Sequence, residues 1–273
     1  MIWNTNILEF DSVSGVKLRG VLVEPKGAPD NLGVIFIHGF ERAGTTERKF
    51  KALADALASQ GISSLRLDFS GCGLSDGDYS FSTVEQMALD AIAAADAFKN
   101  HSTIKEFCLV GHSLGGCVIA RMLESGFISK KNVLIAPALN QKALLRYYFV
   151  RNAMMKANPP IKIDWINYVD FLDEKTFLEQ SKLGQWTKLT FVSGNYFVEN
   201  LNRDYSSVFA QNNTITLLVH GDRDDKVPLQ SHTIQFKNNI VVPGGDHDIE
   251  REDFLKIWLS RAVDFIISPG AAE

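Results

Sequence analysis

At 273 residues, with 45% hydrophobic and 22% charged side chains, the chain is large and apolar enough for one α/β domain with an elaboration, and its composition excludes a disordered protein. Its 28 lysines and arginines against 32 aspartates and glutamates leave a net charge of −4, and no basic run is dense enough to track a phosphate backbone, so nucleic acid is not an expected partner. Cys72, Cys108 and Cys117 are odd in number and form no C-x-x-C pair, which points to neither a disulfide framework nor a cysteine-built metal site.

The opening residues carry neither a basic leader nor an apolar run of signal length, and no segment approaches a membrane span. A cytoplasmic location without a membrane partner is expected.

In chain order, "KLRGVLVEP" alternates as a strand does, "GVIFIHG" is a short buried strand ending in glycine, and "ERKFKALADALASQG" has helical spacing closed by glycine. Then come "SSLRLDFSG" (strand), "STVEQMALDAIAAADAFKN" (helix), "EFCLVGH" (strand), "LGGCVIARMLESG" (helix) and "NVLIAPA" (strand). Further on, "TITLLVHG" and "NIVVPGG" read as two more strands and "REDFLKIWLSRAVDFII" as a closing amphipathic helix. Repeated βαβ units with near-continuous apolar strands predict a mostly parallel sheet covered by helices on both faces.

The rhythm breaks from about 139 to 213, a stretch too long for a plain loop. It carries "RYYFVRNAMM", "NPPIKIDWINYVDFL" and "KLTFVSGNYFV", an aromatic density unsuited to a solvated surface. We expect a lid over one edge of the sheet, inserted into a core made of 1–138 and 214–273. Low-complexity sequence is confined to the tail "SPGAAE".

"FCLVGHSLGGCVIA" places a hydroxyl at the sharp bend between a buried strand and an apolar helix. A bend can be made of glycine alone, so Ser113 needs another reason. It could cap the helix, as serine often does. In the G-x-S-x-G spacing, however, Gly111 and Gly115 let the turn pass close to its neighbours, so the hydroxyl projects from the carboxyl end of the sheet, where ligands collect. Serine is a poor nucleophile on its own and requires a base and an orienting acid.

Of six histidines, His101 lies at a polar helix end, and His38, His112 and His220 abut glycines at strand ends, where an imidazole usually bonds loop backbone. His232 follows "VP" in a helix-like stretch. His247, in "PGGDHDIE" between the last strand and last helix, belongs on the same side of the sheet as Ser113 and is the best candidate base. Asp222, Asp224 and Asp225 in "VHGDRDDKVP" are the candidate acids, and an aspartate there could fix the tautomer of the imidazole.

With Ser, Asp and His in that order on alternating strands and helices, the chain resembles the α/β-hydrolase family over nearly its whole length. The resemblance implies an eight-stranded, mostly parallel sheet flanked by helices, with a lid inserted after the sixth strand. The family pattern G-x-x-D-x-x-V-P matches Gly221, Asp224, Val227 and Pro228 and assigns the acid to Asp224; "GGDHD" matches the histidine loop at His247. "HGF" resembles the oxyanion loop, whose Phe40 N–H would join that of Leu114 in stabilising a tetrahedral oxyanion. "LDFSGCGLSDG" is similar to a structural segment of the family, with Ser70 where arginine is common.

Within the family, the insert and "SGNYFVENL" are most similar to bacterial feruloyl and cinnamoyl esterases. That likeness makes Tyr196 a candidate substrate contact, the alternative being a tyrosine of the lid core, and His112, beside the serine, is a second candidate contact. An aspartate that some such esterases carry soon after the "APA" strand is missing from "APALNQKALL". The implied activity is hydrolysis of small apolar or aromatic carboxylic esters through an acyl-enzyme on Ser113, with a small-molecule ester as partner and no metal or organic cofactor.

Thioester or peptide hydrolysis and acyl transfer share the same fold and triad, and a non-catalytic binding protein is the reading from another class. Serine at the elbow argues against haloalkane chemistry. The exposed face of the lid could support a dimer, and no residue fixes the oligomeric state.

Overall fold

A computed structural model describes residues 3–27, 31–187 and 189–268. One residue inside "KLTFVSGNYFV" and all but the first of the low-complexity tail lie outside the described residues.

The elements are β1 (Trp3–Asp11), β2 (Lys17–Pro25), β3 (Leu32–Ile37), α1 (Arg48–Ser59), β4 (Ser63–Asp68), α2 (Val84–His101), β5 (Glu106–His112), α3 (Gly115–Glu124) and β6 (Lys131–Ile135). They continue with α4 (Gln141–Met155), α5 (Glu174–Leu183), β7 (Gln185–Trp186), β8 (Phe191–Val192), α6 (Gly194–Asn200), α7 (Ser206–Gln211), β9 (Thr216–Gly221), β10 (Asn238–Val242) and α8 (Glu252–Ile267). Seven of the eight strands in the main sheet coincide with the seven apolar or alternating runs. The eighth is β1, whose polar, mostly exposed residues gave no such signal.

The main sheet has the order β1-β2-β4-β3-β5-β6-β9-β10. β2 pairs antiparallel with both β1 and β4, and every other pairing is parallel. Successive residues of β3 serve opposite faces, as the two-residue period of a strand requires. Ile35 and Ile37 pack with Ala91, Phe98 and Val118 of α2 and α3, while Val34 and Phe36 pack with Leu53 and Leu57 of α1 and Trp258 of α8. This is the sheet with both faces covered that near-continuous apolar strands predicted.

Because β4 lies on one side of β3 and β5 on the other, the chain reverses its direction of travel across the sheet between β3 and β5. The crevice at such a reversal, outside the carboxyl ends of the strands, is where open α/β sheets bind ligands. Between β6 and β9 the chain leaves the main sheet for α4 to α7 and the small antiparallel pair β7–β8. Ala138, Leu144, Tyr147, Val150, Ile163, Tyr168 and Val227 form a separate apolar cluster there, which uses much of the aromatic density of this stretch. Among the described residues no helix is long and apolar enough to cross a membrane.

Trp258 is fully buried beneath the sheet, and its Nε1 donates to Ile249 O at 3.1 Å, tying α8 to the loop after β10. Trp258→Ala should therefore lower the unfolding free energy by about 3–5 kcal/mol, read as a fall in the urea midpoint without a large change in slope.

Candidate active site

Ser113 has φ 53°, in the left-handed region that side chains other than glycine rarely occupy. Its surroundings hold it there. The Ser113 N–H donates to Ile135 O at 2.9 Å, and its carbonyl accepts from Gly116 and Ala138, both at 3.0 Å. A Cβ on Gly115 would sit 2.1 Å from Ile37 O, and one on Gly111 would sit 2.8 Å from the Gly115 carbonyl.

Neither position admits a side chain, and the resulting close approach brings the start of α3 against the end of β3. The capping alternative for Ser113 is not realised: Leu114 holds the cap position of α3, with no side-chain cap bond. Among the described residues no hydrogen bond takes the N–H of Phe40 or of Leu114.

His247 Nδ1 donates to Asp224 Oδ2 at 2.7 Å. A carboxylate can only accept, so this bond leaves Nε2 of a neutral imidazole as its acceptor. Asp224 Oδ1 accepts from the N–H groups of Lys226 and Val227, both at 2.9 Å, and His220 Nε2 stands 3.2 Å from Oδ2. Burial would raise the Asp224 carboxyl, but the bonds from His220 and His247 outweigh it and hold the group well below the usual carboxylate range.

The other two aspartates of the run point elsewhere. Asp222 accepts from Gly244 N at 2.7 Å, and Asp225, with 71% of its side chain exposed, pairs with Arg151 at 2.6 Å. Ser113 and His247 line the same cavity, though no hydrogen bond joins Ser113 Oγ to His247.

The glycine-adjacent histidines bond backbone, as their positions suggested. His38 Nδ1 donates to Gly39 O at 2.8 Å and Nε2 accepts from Phe69 N at 3.1 Å. His220 Nε2 donates to Val227 O at 2.8 Å, so its Nδ1 accepts from His232 Nε2 at 2.9 Å. His232 itself follows a single 3-10 turn, Leu229–Ser231, in extended backbone rather than lying in a longer helix.

Beneath the cavity lies a buried charge cluster that the sequence did not disclose. Lys49 Nζ is 2.9 Å from Glu47 Oε2 and 3.6 Å from Glu250 Oε2, and the Lys49 side chain is entirely buried. Glu47 occupies the cap position of α1, yet its carboxylate turns to Lys49 and to His112 Nδ1 at 3.3 Å. His112 Nε2 in turn lies 3.2 Å from His247 O. The start of α1, the residue before Ser113 and the His247 loop are thus held in one network. Burial would raise the Glu47 carboxyl, but its contacts with His112 and Lys49 outweigh it and hold the group well below its ordinary value, while burial and the Lys49 charge push His112 down to about 4.

The cavity has a volume of about 330 Å³. Every residue singled out for the site lines it except Asp224, which lies behind His247. Tyr196 is buried, with its ring 5.2 Å from that of Phe40 and its hydroxyl 3.3 Å from Gln141 Oε1. His112 forms part of the wall, but both its ring nitrogens are turned to protein partners.

Among the lining residues that were missed are Gln141, Leu145 and Tyr148, from α4. Their i, i+4, i+7 spacing, one face of a helix, was the available signal. Arg151, three residues after Tyr148 on α4, shares that signal, whereas Arg42 and Lys226, also in the wall, had none. Among the described residues no group of three or more His, Cys, Asp or Glu is placed to hold a metal ion.

A mostly parallel eight-stranded sheet, with a serine on a left-handed turn after its fifth strand and a buried Asp–His pair beside it, is the architecture of the α/β-hydrolases. The family model described as the alpha/beta hydrolase family matches residues 34–254, and the chain belongs to that family. Among solved structures it is similar to Est1E from Butyrivibrio proteoclasticus with ferulic acid bound, with 22% identity, TM-score 0.68, and 94% of this chain and 95% of that one covered. It is also similar to the Pyrococcus furiosus esterase PF2001, with 20% identity, TM-score 0.64 and coverage of 97% and 90%. A third is the alpha/beta hydrolase GrgF from Penicillium sp. sh18, with 19% identity, TM-score 0.66 and coverage of 96% and 98%. No curated protein matches the sequence significantly.

The buried imidazoles predict acid sensitivity. Burial pushes His112 down to about 4 from 6.5, and burial together with His220 pushes His232 down to about 3. Below 6.5 the unfolded chain takes up protons that the folded one refuses, so stability is full above that pH and falls as pH drops toward 4. His232→Gln should remove about one proton's worth of that slope, about 1.4 kcal/mol per pH unit, in urea titrations run from pH 7 to 4.5.

Proposed function

We propose that the protein is a serine-dependent carboxylic-ester hydrolase. The observation that carries this reading is the 2.7 Å bond to the buried, ionised Asp224 from His247, which lines the same cavity as Ser113 on its left-handed turn. With Nδ1 committed to Asp224, Nε2 of His247 is the nitrogen free to take a proton.

Ser113 Oγ attacks the ester carbonyl carbon as its proton passes to His247 Nε2. The carbonyl electrons move to the oxygen, where the unclaimed N–H groups of Phe40 and Leu114 and the start of α3 favour negative charge. As the tetrahedral species collapses, the carbon–oxygen bond to the alcohol breaks, and the alcohol oxygen takes the proton from His247. Water then attacks the acyl-Ser113, gives its proton to His247, and the acid leaves as the proton returns to Ser113 Oγ. Asp224 stays ionised throughout and balances the imidazolium.

We assign the stretch 139–213 the role of a lid over a core made of 1–138 and 214–273. It supplies Leu145, Tyr148, Tyr196 and Phe197 to the cavity, a wall suited to a small apolar or aromatic acyl group. Tyr196 and the face of His112 are the assigned contacts. The ferulic acid bound by Est1E, a structure of the same fold, is an aromatic acid and accords with that choice.

The test is hydrolysis of a panel of p-nitrophenyl acyl esters and methyl hydroxycinnamates. Ser113→Ala should lose at least about 10⁴-fold in kcat on the best ester and Asp224→Asn about 10⁴-fold, while Asp225→Asn changes little. A fluorophosphonate probe should label the wild type and not Ser113→Ala. Turnover that survives Ser113→Ala overturns the mechanism.

A further inference from the structure

The cavity around Ser113 differs in charge from the chain as a whole. Acidic residues outnumber basic ones by 32 to 28 overall, yet Arg42, Arg151 and Lys226 line the cavity and, among the described residues, no aspartate or glutamate does. Each cation is held beside the Asp224–His247 pair. Arg42 Nη2 donates to Asp248 Oδ1 at 2.7 Å and Lys226 Nζ lies 3.6 Å from Asp248 Oδ2, and Asp248 directly follows His247. Arg151 Nη1 and Nη2 donate to Asp225 O and Oδ2, both at 2.6 Å, and Asp225 directly follows Asp224.

Arg42 and Lys226 therefore share one carboxylate. The buried Lys49, 3.9 Å from that same Asp248, leans on Glu47 at 2.9 Å and does not relieve the surplus at the rim. Among the described residues, Nε and Nη1 of Arg42 have no hydrogen-bond acceptor, and 52% of the Lys226 side chain is exposed.

The direction of the chemistry says which half of a substrate meets this rim. His247 delivers its proton to the departing oxygen, so the alcohol half lies toward the His247 loop, where Arg42 and Lys226 stand. The acyl half turns to the aromatic group of Phe40, Tyr196 and Phe197, whose neighbouring rings lie 5.2 and 5.3 Å apart. We infer that the preferred substrates are esters whose alcohol portion carries an anionic group, a carboxylate or a phosphate, bound by Arg42 and Lys226 with Arg151 at the same rim. The inference rests on the ester-hydrolase reading and adds its substrate class. A guanidinium fork and an ammonium suit such a group because charge-assisted hydrogen bonds are stronger than neutral ones.

The experiment compares kcat/KM for esters with a common butyryl group: 4-butyryloxybenzoate, 4-butyryloxyphenyl phosphate and the neutral methyl 4-butyryloxybenzoate. A second pair, 4-nitrophenyl hemisuccinate against 4-nitrophenyl butyrate, puts the charge on the acyl side. The better anionic alcohol should exceed the neutral ester by about ten-fold at low salt, and the two anions identify whether carboxylate or phosphate is preferred. That ratio should shrink at high salt and fall several-fold in Arg42→Gln and in Lys226→Gln, while Lys256→Gln on the distant α8 leaves it unchanged.

A ratio at or below one, a preference for the acyl-side anion, or a ratio indifferent to both cavity substitutions overturns the inference while leaving the hydrolase intact. Failure of every ester to turn over removes the hydrolase reading, and the inference with it.

Discussion

The constraint on which the rest depends is the contact between the start of α3 and the end of β3. Gly115 approaches Ile37 O so closely that a methyl group would overlap it, and Gly111 meets the Gly115 carbonyl in the same way. With both positions stripped of side chains the turn passes close to its neighbours, and the residue between them that takes the left-handed conformation is Ser113. A strained φ at a non-glycine position costs on the order of 1–3 kcal/mol and persists only where the surroundings over-determine it. Here the bonds to Ile135, Gly116 and Ala138 do so. Leu114, the next residue, lines the same cavity as Phe40.

Behind the cavity, polar groups are buried at a density that stability alone does not ask for. Glu47, Lys49, His112, His220 and Asp224 are almost wholly removed from solvent. Burying charges costs desolvation that their attraction at best offsets, so such groups are weak evidence for a stabilising role. What they do here is geometric. His112 ties the residue before Ser113 to the backbone of His247, Lys49 reaches the acidic residues after it, and His220 backs the carboxylate that His247 engages. Three loops that meet only at the top of the sheet are given a common reference.

Much of this was legible in the sequence because it is written in local period and composition. Apolar runs of strand length alternate with helical spacing from Lys17 to Ile135, and the structure places strands and helices on those runs. The strand missed by pattern, Trp3–Asp11, is an edge strand with mostly exposed residues, so neither alternation nor apolar content marks it. Asp222, Asp224 and Asp225 are chemically alike in sequence. The resemblance to the family pattern singled out Asp224, and the physical distinction is the turn that aims Asp224 at His247 and leaves Asp225 to Arg151. The cluster at Lys49 was invisible for the same reason: a lysine in an amphipathic helix reads as solvated until its neighbours from 47 and 250 are known.

The sequence by itself determined the layered α/β architecture, the serine at the bend, and the loop that carries His247, since each follows from short-range periodicity and glycine spacing. Tertiary structure decided which aspartate meets the histidine, which residues between β6 and β9 reach the cavity, and that its charged wall is basic in an acidic chain. Those features join residues as far apart as Arg42 and Asp248, which lie 206 positions apart along the chain. Local preferences act over a few residues, so such pairings exist only once the packed sheet has brought its loops together.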